Sequence, residues 1–227
     1  MDIVDATGAE VRVAVATLAR RGTPLRFTLV PMLHVGPPEF FAAVSDLLRR
    51  HDLVVAEGVR GGRAVTTLTS AYAGAAGNPR LGFVVQPQEM VEVGRPVIRP
   101  DMDGAEFDRH WNAVDLGERL ITSVGAPAVG WWMRTFATRA QIARQMALDD
   151  GVLVDVDADE SQVRALFGDR RDALLAAALT AIHDERSTEQ ITVAVVYGAM
   201  HVRPAVTALR RLGYVVRHAE WLRVFTF

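Results

Sequence analysis

The sequence predicts an α/β fold with a mixed, mostly parallel central sheet, flanking helices and a helical insertion. Short apolar runs near both ends of the chain alternate with amphipathic segments, which is the pattern of strands joined by helices. Half of the 227 residues are hydrophobic, enough to fill one substantial core. No run reaches the ~18 apolar residues that a membrane span requires. We therefore expect a single domain over residues 1–227.

The first elements are predicted to be an antiparallel hairpin. Residues 10–18 alternate apolar and polar side chains as a strand does, and residues 26–33 form an apolar run. Gly22, Thr23 and Pro24 lie between the two segments and favour a turn.

A strand–helix–strand unit is predicted to follow, with His34 after its first strand and Glu57 after its second. Pro37 and Pro38 suit the first turn of a helix, whose apolar face is spaced at helical intervals: Phe40, Phe41, Val44, Leu47 and Leu48. Residues 53–58 then form a short buried strand that contains Glu57. The connection implies that the strands on either side of the helix are parallel and pair with each other.

The middle of the chain is predicted to be mainly helical. Residues 64–76 suggest a helix, residues 81–86 a strand and residues 87–104 a loop rich in Pro, Gly and Asp. Residues 105–150 are predicted to be a helical insertion or cap over the sheet, with bulk supplied by three tryptophans: Trp111, Trp131 and Trp132.

The C-terminal unit repeats the strand–His–helix order. A helix capped by Asp169 has an apolar stripe of Leu174, Leu175, Ala178 and Ile182, and Arg171 lies on that stripe. We expect Arg171 to be buried against a carboxylate, with Glu57 or Asp172 as candidates. A strand at 191–197 leads to His201, and a helix from Pro204 ends at Gly213. Strands at 214–218 and 222–227 are predicted to follow.

The amino-acid composition limits which partners and which metal ligands the protein can use. The net charge of −2 offers no basic field, so nucleic acid and anionic membrane surfaces are disfavoured. With no cysteine, disulfides and thiolate ligands are excluded, and a metal site is limited to His, Asp and Glu. The N-terminus has acidic residues where a signal peptide has basic ones, so a cytoplasmic protein is expected.

The chemistry is predicted to lie at the carboxyl ends of the strands, where α/β sheets bind ligands. His34, Glu57 and His201 all follow apolar strands, and both histidines stand in the same His-Val-x-Pro context before a helix. Two imidazoles and a carboxylate can hold a divalent metal and activate a water, or they can act without metal as a base and its partners. Asp101 and Asp103 are attributed to turn chemistry.

These residues resemble the motifs of the TraB/PrgY/GumN family, which includes the Tiki metalloproteases and is more distantly similar to erythromycin esterases and haem-binding ChaN proteins. "PMLHVG" resembles a first G-x-x-H motif, "DLVVAEGVR" supplies a glutamate as Glu57, and "GAMHV" is an intact second motif. "DRRDALL" offers the pair Arg171 and Asp172. Pro31 stands where the family has the first glycine.

The resemblance implies hydrolysis of a small peptide or ester, with metal ligands His34, Glu57 and His201 and catalytic residues Glu57, Arg171 and Asp172. A divalent ion such as Mn, Co or Zn is the implied cofactor, whereas the esterase branch suggests a metal-free histidine base. Pro31 removes an amide donor from the first half-site. The alternative is a non-catalytic module that binds or sequesters a small peptide or cofactor.

Overall fold

The computed structural model describes residues 2–6, 9–59, 66, 70–148 and 168–227. Within them the chain forms an α/β fold with a mixed central sheet and flanking helices. The strands are β1 (Val4–Asp5), β2 (Glu10–Ala19), β3 (Arg26–Met32), β4 (Val35–Gly36), β5 (Leu53–Ala56), β6 (Val84–Val85), β7 (Val97–Ile98), β8 (Thr192–Gly198) and β9 (Val215–Thr226).

Helices connect and flank these strands. They are α1 (Pro38–Leu48), α2 (Ser70–Ala76), α3 (Gly104–Ala113), α4 (Leu116–Phe136), α5 (Arg139–Leu148), α6 (Asp169–Arg186) and α7 (Val202–Arg211). Short 3-10 helices occur at Gln88–Val91 and Ala199–His201. No helix in the described ranges is both long enough and apolar enough to cross a membrane.

The main sheet has the order β1-β2-β3-β8-β5-β7. A seventh strand, β9, lies off this path and also pairs with β2. Strands β3, β8, β5 and β7 form a parallel block, whereas β1, β2 and β9 pair antiparallel. All residues of β5 are buried, as are all but the first residues of β3 and β8. Strands covered on both faces read as continuous apolar runs, as these do.

The predicted direct pairing of β3 with β5 is wrong, because β8 lies between them and pairs parallel with both. The predicted parallel orientation does hold. This insertion of a C-terminal strand into the N-terminal unit places the ends of β3, β8 and β5 side by side.

The predicted opening hairpin is confirmed: β2 pairs antiparallel with β3, from Ala16 opposite Leu29 to Ala19 opposite Arg26. The two predicted C-terminal strands are instead one strand, β9, which pairs with β2 along its length. That ladder contains two register shifts, between Val11 and Arg12 and between Thr17 and Leu18 of β2.

Helix α1 buries its predicted face through Phe40, Phe41, Val44 and Leu48, and α7 is buried through Val202, Ala205 and Leu209. Helix α6 differs in two respects. Asp169 is the first helical residue rather than the N-cap. The N-cap is Gly168, which has no side chain that could make a capping hydrogen bond. The buried stripe is Arg171, Leu175, Leu179 and Ile182, so Leu174 and Ala178 lie at its margin.

The middle segment is helical in its described part, as α3, α4 and α5. The predicted helix at 64–76 is seen as α2, and most of residues 64–69 lies outside the described ranges. The predicted strand at 81–86 is only the two-residue β6, and the predicted loop at 87–104 contains β7. Of the three tryptophans predicted to give this segment its bulk, Trp111 is buried, whereas Trp131 and Trp132 are exposed.

Candidate functional site

The predicted site residues converge where three adjacent strands end. His34 follows β3, Glu57 follows β5, and His201 follows the 3-10 turn after β8. Gly198, the last residue of β8, marks the centre. A β-carbon built on Gly198 would lie 3.1 Å from Glu57 Oε2, 3.4 Å from His34 Nε2 and 3.7 Å from His201 Cδ2. These distances limit the separation of His34 Nε2 and His201 Cδ2 to about 7.1 Å.

Glu57 is held in its ionised form. Its side chain is only 10% exposed, Oε1 accepts a hydrogen bond of 2.7 Å from Arg171, and Oε2 accepts one from the amide of Gly198. Burial opposes ionisation, but Arg171, the two histidines and the Gly198 amide outweigh it and lower the pKa of Glu57 to about 2. Glu57 is therefore a fixed negative charge and a weak proton acceptor.

Arg171 holds two carboxylates at once. Besides Glu57, it binds Asp101 through Nε at 2.9 Å and a terminal nitrogen at 2.7 Å. Burial opposes its charge, but Glu57 and Asp101 outweigh that effect and raise its pKa above the ordinary value. The residue is 7% exposed, as predicted for a stripe position, and its partners are Glu57 and Asp101 rather than Asp172.

His201 is almost fully buried, at 1% exposure, and it is anchored on one side only. Its Nδ1 donates a hydrogen bond of 2.6 Å to Asp172, the residue after Arg171 on α6. Its Nε2 has no hydrogen-bond partner within the described part of the chain and lies 3.7 Å from Glu57 Oε1. Because Nδ1 of His201 donates to Asp172, the neutral ring carries its lone pair on Nε2, on the side of Glu57.

His34 is anchored in a similar way. Its Nδ1 donates to Gln86 Oε1 at 3.1 Å, which leaves Nε2 directed toward Gly198. The ring of the half-buried Tyr72, on α2, lies 5.1 Å from the His34 ring. Burial, reinforced by the charge of Glu57, raises the pKa of Tyr72 to about 12. Tyr72 is therefore a neutral hydroxyl at the edge of the site.

Sequence reasoning missed Asp101, Gln86 and Tyr72. Asp101 was attributed to turn chemistry, yet its side chain is 1% exposed and accepts hydrogen bonds from the amides of Gly58 and Met102 as well as from Arg171. The signal was available, since Asp101 follows β7 at the same sheet edge as Glu57. No comparable rule identifies Gln86 or Tyr72 as site residues from the sequence.

The donor set is a partial match to a metal centre. Nε2 of His34 and the ring of His201 both lie beside Gly198, and each imidazole has its Nδ1 anchored, as is usual for metal-ligating histidines. Across the residues whose structure is described, however, no group of three or more His, Asp or Glu side chains has the spacing of metal ligands. Both oxygens of Glu57 already accept hydrogen bonds.

The ionised state of Glu57 should make folding stability depend on pH. Because folding lowers its pKa from 4.5 to about 2, Glu57 stabilises the fold fully above pH 4.5. That contribution, about 3 kcal/mol, is lost as the pH falls from 4.5 toward 2. Urea unfolding between pH 3 and pH 7 should therefore show a flatter pH dependence for Glu57→Gln. Glu39→Gln, a change at an exposed position of α1, serves as the control, and equal slopes for the two variants would contradict the assignment.

Gly198→Ala should disrupt the site more than the fold. The backbone of Gly198 has φ −47°, which alanine adopts freely, so the effect comes from the methyl group that would press on Glu57 and His34. We expect a loss of about 1–3 kcal/mol in the free energy of unfolding and a loss of any ligand or metal binding at the histidines. The control is Gly125→Ala, where nothing lies within 4 Å of the added carbon. Unchanged binding in Gly198→Ala would show that the three side chains do not act at this point.

Comparisons with known proteins add no family assignment. No family model, curated protein or solved structure matches this chain. The resemblance to the TraB/PrgY/GumN family therefore rests on the motifs around His34, Glu57, Arg171 and His201 alone.

Proposed function

We propose that the chain is a metal-dependent hydrolase that cleaves a peptide or ester bond. The observation that supports this most is Nε2 of His201, a buried nitrogen without a partner beside an ionised carboxylate. Leaving a buried polar atom unsatisfied costs about 1–3 kcal/mol, so such atoms in folded proteins usually serve a ligand, an ion or a water.

A divalent ion would be held by Nε2 of His34 and Nε2 of His201, with Glu57 as the neighbouring charge. Formal charge supports a cation: Glu57, Asp101 and Asp172 carry three negative charges, against the single positive charge of Arg171. Since Glu57 already accepts two hydrogen bonds, it would use its remaining lone pairs, and waters would complete the coordination. When bound, the ion supplies a Lewis acid and lowers the pKa of a bound water.

The roles of the chain's own residues follow from their contacts. Asp172 fixes the orientation and tautomer of His201, and Gln86 does the same for His34. Arg171 and the Gly198 amide hold Glu57 in place and keep it charged, so Arg171 is a positioning residue. The ring of Tyr72 lies beside that of His34 and its hydroxyl stays neutral, so we assign it the role of donating a hydrogen bond to a substrate oxygen.

A second candidate is hydrolysis without a metal, in which His201 acts as the general base. Both oxygens of Glu57 are already hydrogen bonded, and the 2.6 Å contact from Asp172 to Nδ1 is the arrangement that orients a catalytic histidine. We also propose that the sheet of this protein has a topology like that of erythromycin esterases and ChaN proteins. The mixed sheet with its parallel block is compatible with it.

The test is a metal assay on protein purified without chelator, followed by a hydrolysis screen of short peptides and esters. We expect about one equivalent of Mn, Co or Zn in the wild type, its loss in His201→Ala and its retention in His218→Ala, an exposed histidine on β9. Activity should disappear in chelator and return with metal. Full activity in chelator would favour the histidine base. Ligand binding without turnover would favour the non-catalytic module, for which Pro31 gives modest support.

A further inference from the structure

We infer that α4 is the dimerisation helix of this protein and pairs antiparallel with α4 of a second copy. Its outward surface carries seven large apolar side chains that are 41–75% exposed: Leu116, Leu120, Ile121, Val124, Trp131, Trp132 and Phe136. We call these residues the α4 outer face. From residue 120 to residue 132 the helix has no charged residue at all.

The opposite side of α4 is already used within the chain. Ala126, Gly130 and Met133 are buried. The contact with α2 is so close that a β-carbon on Gly74 would lie 2.1 Å from the carbonyl oxygen of Gly130. A helix that is apolar all round is normally covered on every side, whereas a surface helix has a polar outer face. Among the residues that the structure describes, the α4 outer face therefore has no cover.

The positions of the exposed residues fit a copy of the same helix. In an antiparallel pair related by a two-fold axis at residue 126, each residue faces a position equally far on the other side of 126. Ile121 then faces Trp131, Leu120 is level with Trp132, and Leu116 is level with Phe136 at the ends of the pair. Val124 faces Ala128, and these smaller side chains at the centre allow the two helices to approach closely.

The size of the face also suits a dimer. Its exposed aromatic and aliphatic groups present on the order of 500 Å² of apolar surface, at the upper end of the patches found on monomers. That is more than half of the ~800 Å² per partner that a standard interface buries. A membrane surface fits less well, since interfacial helices carry many Lys and Arg side chains on their polar face. In α4 the basic residues are Arg119 and Arg134.

Light scattering or sedimentation over a range of concentrations tests the inference. We expect the wild type to be a dimer, and Ile121→Glu, a change at the most exposed position of the face, to give a folded monomer. Val216→Glu, at an exposed valine on β9, should remain dimeric. A wild type that is monomeric throughout, or a dimer that Ile121→Glu leaves intact, would overturn the inference. Binding of the wild type to phosphatidylcholine vesicles with no dimer would favour a membrane surface instead.

The register can be tested separately because the chain has no cysteine. Mixing Ile121→Cys protein with Trp131→Cys protein under oxidation should give a crosslinked dimer, since these positions face each other. Ile121→Cys mixed with Leu116→Cys should not, because residue 116 of the partner would lie about 22 Å along the helix from the facing position. Equal crosslinking of both mixtures would rule out this antiparallel pairing. Neither result depends on the proposed hydrolase chemistry.

Discussion

Replacing Arg171 with alanine is expected to lower the free energy of unfolding by about 3–5 kcal/mol. The change leaves Glu57 and Asp101 as buried carboxylates without their counter-ion, and breaking a buried ion pair costs that much. For a chain of this length the melting temperature should fall by roughly 6–20 °C. Thermal and urea unfolding at neutral pH measure the effect.

The matched control is Arg170→Ala on the same helix. Arg170 is 48% exposed and pairs with Glu106 at the surface, so its removal should cost about 1 kcal/mol or less. The loss in Arg171→Ala should also shrink at low pH, where Glu57 accepts a proton and no longer needs a counter-ion. Equal stability of the two variants would show that Arg171 does not hold the carboxylates in solution.

Replacing either His34 or His201 with alanine is expected to reduce kcat/KM by about 100-fold or more, and replacing both should add little. Nε2 of His34 and the ring of His201 flank the same point beside Gly198, so one reacting water or ion would be shared between them. Residues that act as a unit give strongly non-additive effects. A double-mutant cycle on the substrate found by the hydrolysis screen measures the coupling.

The control for this cycle is His218→Ala, since that side chain is 69% exposed on β9 and lies outside the cluster. It should keep wild-type activity alone and add nothing to either site variant. Losses that multiply in the double variant would mean that the two histidines act in separate steps or sites. Melting temperatures of all variants should be compared, because His201 is also bound to Asp172.

Local patterns predicted most of the elements. Apolar runs and helical spacing placed β2, β3, β5, β8, α1 and α7, because each of these segments buries a continuous run or one regular face. The rule that ligands bind at the carboxyl ends of parallel strands also singled out His34, Glu57 and His201. These predictions need only near neighbours in the chain.

Other predictions failed where distant segments decide the outcome. Asp101 looked like a turn residue, because nothing near it in sequence shows that Arg171 would reach it from α6. The tryptophans of α4 were predicted to give the cap its bulk, but the side of the helix that faces α2 is occupied by Ala126, Gly130 and Met133, and Trp131 and Trp132 are exposed. Asp169 matched the pattern of a cap, yet the helix begins at that residue.

By itself the sequence determined which segments are strands and helices, which faces are apolar, and which polar residues end the strands. Only the tertiary structure decided that β8 enters between β3 and β5, that Arg171 joins Glu57 to Asp101, and that Nε2 of His201 is left without a partner. The physical reason is the distance along the chain over which each kind of interaction acts. Hydrophobic periodicity acts over a few residues, whereas sheet order and the pairing of buried charges depend on contacts between residues more than 100 positions apart, such as Glu57 and Arg171.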